Sequence, residues 1–290
     1  MSAISVAPPL LPTELSGAYR GPLTEKELEA LLPPQDLPSE DGQNMESEWH
    51  RSNIALLVNS IRFHFRDHDD VYAGGNSFIY FSTKQVKNED YKGPDFFAVR
   101  GVPRDPIRQY WAVWDEDGRY PNVIVELLSP TTATNDLTHK KRLYEQTFRT
   151  PNYFCFDPAT RELFGWSLQH EGSGQAVYHR LSLNEHGRLW CDELQLWVGP
   201  WKGEFSGYND LWLRFFTPDG ALVQVAEEYQ LEQAERQRLR AEAEQQRAES
   251  EQQRADAEQQ RADAERARAE SAEAELTRLK ALLSEKGVTP

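Results

Sequence analysis

The sequence predicts an α+β or mixed α/β domain built around one sheet, with a long polar helix behind it. Three observations predict it. Helix-period and strand-like segments follow one another as helix, strands, helix, strands between Ser47 and Phe216. All eight Trp lie between Trp49 and Trp212, which places the aromatic core there. Beyond residue 230 the composition changes to near-identical heptads. These shifts divide the 290 residues into an N-terminal arm (1–45), a globular domain (46–230) and a heptad tail (231–290).

The arm is rich in Pro, including Pro8-Pro9, Pro33-Pro34 and Pro38. Within it, residues 24–32 read as a short helix with Thr24 and Glu27 as a capping box. The domain opens with a helix from Ser47, its N-cap, to about Arg66. Ile54, Leu57, Val58, Ile61 and Phe65 recur there at three- and four-residue intervals. Residues 71–82 read as a strand with Gly74-Gly75 as a bulge or turn inside it. Residues 95–99 form a short strand, and 103–120 a loop holding Trp111 and Trp114.

Residues 122–128 are almost continuously apolar, as expected of a central strand covered on both faces. A helix follows over 136–148 and stops before Pro151. Residues 152–156 are another strand. Residues 163–168 and 176–183 form a hairpin around Gly172-Ser173-Gly174. Residues 189–198 and 211–216 add strands, the latter ending in the turn Thr217-Pro218-Asp219-Gly220.

In the tail, heptads start at Ala243, Ser250 and Ala257, and a degraded fourth starts at Ala264. Neither Gly nor Pro interrupts it before Gly287. A stable two-stranded coiled coil needs apolar residues at both core positions of each heptad. Only Leu276, Leu279 and Leu283 satisfy this, so a solvated single helix is favoured over a strong coiled coil. Pairs such as Glu251–Arg254 and Arg254–Glu258 would support it at ~0.2–0.5 kcal/mol each. Spacing, weak self-association through the terminal leucines and solubility are the roles open to it.

Net charge is −15, which argues against a protein that coats nucleic acid by charge alone. An enzyme with a local basic groove remains compatible. Arg100, Arg104, Lys140, Lys141 and Arg142 either form such a patch or are scattered surface charges. No apolar run approaches the ~20 residues that cross a membrane. The N-terminus lacks a basic segment followed by a long apolar one, so a cytoplasmic location is expected. Cys155 and Cys191 read as small buried hydrophobes rather than a disulfide. His64, His68 and His139 show no transition-metal spacing, and no Gly-rich phosphate loop or zinc-type cysteine cluster occurs.

The candidate site comes from two acids and a lysine. Asp95 lies in Gly93-Pro94-Asp95-Phe96-Phe97, and Glu126 in Val123-Ile124-Val125-Glu126-Leu127-Leu128. A carboxylate in such apolar surroundings costs free energy unless it is paired or binds a metal. Asp136, Lys140 and Tyr144 are spaced i, i+4, i+8 and share one helix face, while Lys141 points about 100° away. Two acids on neighbouring strands with a cation from the next helix suit metal-assisted phosphodiester cleavage. The bland readings are a turn residue at Asp95, a metal-free Glu126–Lys140 ion pair, and core packing for Tyr144.

The ordered set is Pro94-Asp95, then Glu126-Leu-Leu-Ser-Pro130, then Asp136-x3-Lys140-x3-Tyr144, then Asn152-Tyr-Phe-Cys-Phe-Asp157. It resembles the Uma2 family (DUF820), a branch of the PD-(D/E)XK nuclease-like superfamily, over about residues 45–230. The later Leu211–Phe215 and Pro218-Asp219-Gly220 also resemble that family. The resemblance implies a restriction-endonuclease-like mixed β-sheet flanked by helices. It implies Mg²⁺ or Mn²⁺ held by Asp95, Glu126 and the backbone carbonyl of Leu127. It also implies a lysine that assists the attacking water. The position two beyond Glu126 is Leu128, not Lys, so Lys140 must take that role from the following helix. Glu48 and His50, at the start of the first helix, are further candidates for the site's edge.

The function so implied is a Mg-dependent endonuclease acting on DNA. Its rival is a catalytically silent nuclease-like scaffold that works as an interaction or oligomerisation protein through the tail; a homo-oligomer would form through the core domain or the C-terminal helix. No element for reading bases stands out.

Overall fold

The computed structural model describes residue 24 and residues 47–82, 93–172 and 175–285. The rest of the arm with its expected short helix, and Ser173-Gly174 of the expected hairpin loop, lie outside the described residues. Helix α1 (Glu48–His64) starts where Ser47 accepts from the His50 backbone N–H, as an N-cap should. It buries Ile54, Leu57, Val58 and Ile61, the face its periodicity predicts.

Strand β1 (Val71–Gly74) follows, then β2 (Ile79–Tyr80). The expected single strand over 71–82 is therefore broken, and Gly75 is the reason. A Cβ there would sit 2.6 Å from Ile54 Cγ2 and 2.8 Å from the Asp95 carbonyl oxygen. The backbone turns away at this contact. β2 then pairs in parallel with β4 (Trp111–Ala112), a short strand inside the segment expected to be a loop. Trp111 is fully buried, and its indole N–H donates to Arg119 O at 2.8 Å.

The main sheet contains β1, β3 (Phe96–Arg100), β5 (Val123–Leu127), β6 (Asn152–Asp157), β7 (Glu162–His170) and β8 (Ala176–Arg180), in that order. β5 and β6 run parallel, and every other neighbouring pair is antiparallel. A parallel pair requires a crossover, and here it is helix α2 (133–148). α2 begins three residues before the expected start and widens into π-helical turns over Asp136–Lys140 and Tyr144–Phe148. All five residues of β5 are buried, as expected of a strand covered on both faces.

A second sheet contains β9 (Leu189–Cys191), β10 (Leu196–Phe205) and β11 (Tyr208–Phe216). One strand was expected over 189–198. Two form there, separated where Gln195 takes φ 55°. β10 and β11 meet at Ser206-Gly207, both at positive φ, the twist that a two-residue hairpin loop favours. This sheet packs on α1. Trp49 stacks on Trp212 with centroids 6.0 Å apart, and its indole donates to Leu211 O at 3.1 Å. Fully buried Asn53 donates to Leu213 O at 3.0 Å and accepts from Leu213 N at 2.8 Å. Cys155 and Cys191 are free, buried thiols.

The chain divides into two compact units, 1–222 and 223–290. The second is helix α3 (Ala226–Glu285) with its lead-in. In its heptads the side-chain contacts are Gln245–Glu249, Gln252–Asp256 and Gln259–Asp263, at 2.8–3.0 Å, not the expected pairs through Arg254. In these three heptads glutamine reaches the acid four residues on; in the degraded fourth, Arg266 pairs with Glu270 at 3.5 Å. Among the described residues no helix is long and apolar enough to cross a membrane.

Asn53→Leu removes both bonds to Leu213 and leaves two buried backbone groups unpaired. The expected loss is about 2–4 kcal/mol of unfolding free energy in urea melts, with an unchanged m-value. A loss under about 0.5 kcal/mol would show that α1 does not depend on this bridge.

Candidate active site

The register of β3 on β5 pairs Phe96 with Val125. One residue outward it sets Asp95 opposite Glu126, so the two acids arrive side by side at the strand ends. The Leu127 N–H donates to Asp95 Oδ2 at 2.6 Å, and the Asp95 N–H approaches Glu126 Oε2 at 3.4 Å. Glu126 is 1% exposed.

α2 crosses above them. Lys140 Nζ lies 3.0 Å from Glu126 Oε1 and 3.0 Å from Asp136 Oδ1. The Tyr144 hydroxyl donates to Glu126 Oε1 at 2.8 Å. Tyr153 on β6 donates to the Asp136 carbonyl at 2.9 Å and ties the π-helical turn to the sheet. The shared face expected for Asp136, Lys140 and Tyr144 is therefore the face toward Glu126.

His50 closes another side. Its Nε2 is 3.0 Å from the Leu127 carbonyl, and its Nδ1 is 2.7 Å from Ser47 Oγ. A carbonyl only accepts, so Nε2 carries the proton in that bond. Ser47 Oγ already accepts from the His50 N–H and uses its own proton toward Nδ1. These groups line a cleft of about 340 Å³, together with Ser129, Thr131 and Thr132.

Burial pushes the Glu126 carboxyl up to about 8. Lys140 opposes the rise, Asp95 and Asp136 add to it, and the Tyr144 hydrogen bond opposes it. Burial alone would lower Lys140, but Glu126, Asp136 and Asp95 outweigh it and hold the ammonium above its usual range. Burial and the neighbouring Glu126 raise Tyr144 well above the usual phenol range. Three carboxyl groups thus surround one lysine, and the site favours any added positive charge.

The cleft gathers Asp95, Glu126, Leu127, Lys140 and His50. Glu48 lies elsewhere, with its carboxylate accepting from exposed Tyr208 at 3.0 Å. Lys141 lies over the Trp166 and Tyr178 rings. Arg100 turns to Glu193 O and Asp70, and Arg104 to Arg66 O. The five cations considered as one patch are therefore dispersed, and Lys140 alone of them lines the cleft. Asp136 as the lysine's second partner had a sequence signal in its i, i+4 spacing. Ser129, Thr131 and Thr132 had a weaker one, a hydroxyl run between β5 and α2.

Among the described residues no group of three or more His, Cys, Asp or Glu side chains is arranged to hold a metal. The oxygens of Asp95, Glu126 and Leu127 are donors of the type that suits a hard cation. The Leu127 carbonyl has a second lone pair beyond the one His50 uses.

The Glu126 carboxyl binds its proton more tightly in the folded chain than in the unfolded one. Its contribution to stability is complete below pH about 4.5 and is lost as pH rises to about 8. The urea midpoint of the wild type is expected to fall across this window, and Glu126→Gln to flatten the fall. An equal slope in both proteins would assign the titration to other groups.

A profile of the Uma2 family, described as "Putative restriction endonuclease", matches residues 41–201. That span holds Asp95, Glu126, Leu127 and Lys140. The chain is also similar to a solved structure described as "a putative nuclease belonging to DUF820 from Anabaena variabilis ATCC 29413". That likeness has 15% identity and a TM-score of 0.38, over 60% of this chain and 91% of the other. No curated protein matches the chain. With more than half of its residues matched by that profile, the chain belongs to the Uma2 family.

Proposed function

We propose that this protein is a metal-dependent endonuclease that hydrolyses phosphodiester bonds in DNA, with Mg²⁺ or Mn²⁺ as its cation. One observation carries the reading. The Asp95 and Glu126 carboxylates, the Leu127 carbonyl and the Lys140 ammonium meet in a single cleft with acids in excess.

Asp95, Glu126 and Leu127 would hold the cation, which supplies Lewis-acid polarisation of a phosphoryl oxygen. Lys140 has three N–H donors; one goes to Glu126, and Asp136 pairs with the ammonium by charge at 3.0 Å. An N–H not given to Glu126 is what it offers to the attacking water or to a phosphoryl oxygen, where it offsets developing negative charge. Tyr144 fixes Glu126 Oε1, so that this acid keeps one orientation. Two buried free thiols suit the reducing cytoplasm in which we place the activity.

The Glu126–Lys140 bond also supports the rival, a silent scaffold whose acid is buried only as an ion pair. In that reading α3 does the work, through weak self-association of exposed Leu276, Leu279 and Leu283.

Nicking of supercoiled plasmid with Mg²⁺ or Mn²⁺ tests the enzyme. Asp95→Ala is expected to lose metal binding and activity, and Lys140→Ala to keep metal binding but slow by roughly 10²–10³-fold. Equal nicking by all three proteins would assign the activity to a contaminant or to another site. Equal Mg²⁺ heats in wild type and Glu126→Ala would leave the ion pair as the whole reason for the acid's burial. Light scattering of the full chain tests the tail. Leu276→Glu with Leu283→Glu is expected to lower the mass at high concentration, and an unchanged mass would remove self-association from its roles.

A further inference from the structure

We propose that a groove along α1, next to the cleft, is a binding site for the phosphate backbone of duplex DNA and leads the strand to Asp95. This rests on the endonuclease reading and adds where the substrate lies.

The groove has a volume of about 340 Å³. Arg51, Asn59 and Arg62 of α1 form one wall, and Asn76, Ser77 and Arg108 face them. Among the described residues three arginines and no acid line it, in a chain of net charge −15. Arg62 donates through Nε and Nη2 to the Ala73 carbonyl, at 3.1 and 2.9 Å. A carbonyl pins the guanidinium without cancelling its charge. Arg108 is held by Glu116, which offsets part of its charge, and it lies over the Tyr72 and Trp111 rings. Arg51 and Arg62 are exposed at the surface of α1.

The groove and the cleft share a wall. The Asn76 N–H donates to the carbonyls of Pro94 and Asp95, at 3.2 and 3.1 Å. Gly75 brings the backbone against Asp95 O so closely that a side chain would not fit. On α1, His50 faces the cleft and Arg51, next in sequence, faces the groove. Arg51 and Arg62 are separated by eleven residues, roughly 16 Å of helix, and both line the same groove. Side-chain amides and hydroxyls between the arginines suit phosphate oxygens. Because the contacts are to the backbone, the groove positions DNA without reading its sequence.

The test measures anisotropy of a short fluorescein-labelled DNA duplex in EDTA, over a salt series, with the full chain. Arg51→Gln is expected to weaken binding about tenfold and to flatten the log–log salt slope by about 0.9. Ala55→Glu places an acid in the groove from an exposed helix position, and it is expected to weaken binding similarly with an unchanged urea midpoint. Arg142→Gln, an exposed change outside the groove, is expected to bind as wild type does. With Mg²⁺, the groove variants are expected to raise KM and leave kcat unchanged. Wild-type affinity in both groove variants, an equal loss in Arg142→Gln, or no duplex binding by wild type would overturn the proposal. The two readings fail separately. Duplex that binds through the groove and stays uncut sinks the endonuclease alone. Duplex that is cut with normal KM by both groove variants sinks the groove alone.

Discussion

The buried carboxyl of Glu126 is the constraint on which the site depends. It sits on a strand whose five residues are all buried, between neighbours that exclude water. Ionising it there unaided would cost several kcal/mol. Lys140 and Tyr144 converge on one of its oxygens, and the Asp95 N–H approaches the other. Asp95 in turn is anchored by the Leu127 N–H, one residue past Glu126. These partners come from α2 and from the residue that opens β3, so the acid can be satisfied only when the surrounding fold is assembled.

The topology follows from the same need. β5 and β6 are parallel, and a parallel pair requires a connection that crosses one face of the sheet. α2 is that connection, and it passes over Glu126. Its π-helical turn at Asp136–Lys140 leaves Asp136 near Lys140 while both point at the sheet. Tyr153, on the strand to which α2 returns, holds the Asp136 carbonyl. The crossover thus supplies a cation, a second acid for that cation and a phenol. The antiparallel strand β3 supplies the other acid. Leu128, two beyond Glu126, is buried, so a lysine there would compete with the core.

The core of this arrangement was legible in the sequence because burial leaves a local mark. Acids inside apolar runs are rare, and a lysine four residues after an acid on a helix announces its face. Asp95, Glu126 and Lys140 were legible for these reasons. The break between β1 and β2 was not. Gly74-Gly75 looks like a bulge until Ile54 and Asp95, far away in sequence, occupy the space where a Cβ would be. β4 was hidden too, because two residues paired in parallel with a distant segment carry no period of their own. Glu48 and His50 show the limit most clearly. They lie two residues apart on one helix start, yet one meets Tyr208 at the surface and the other meets Leu127 in the cleft. Only the position of the second sheet and of β5 around α1 separates them.

Charge gives the last link between cleft and groove. The chain is acidic overall, so its long-range field repels a polyanion. The cleft is acidic too, and without a cation it would repel a phosphate directly. In the proposed reading, DNA would therefore be held by short-range contacts until a cation at the acids made the cleft attractive. Arg62, pinned by a neutral carbonyl beside the groove, keeps the charge that such contacts require. Lys140 cannot do this work, because Glu126 and Asp136 already surround it. In that reading, holding the strand and assisting its cleavage thus fall to different cations, one on α1 and one on α2. The backbone from Gly75 to Asn76 sets their spacing, because it touches α1 on one side and the carbonyl of Asp95 on the other.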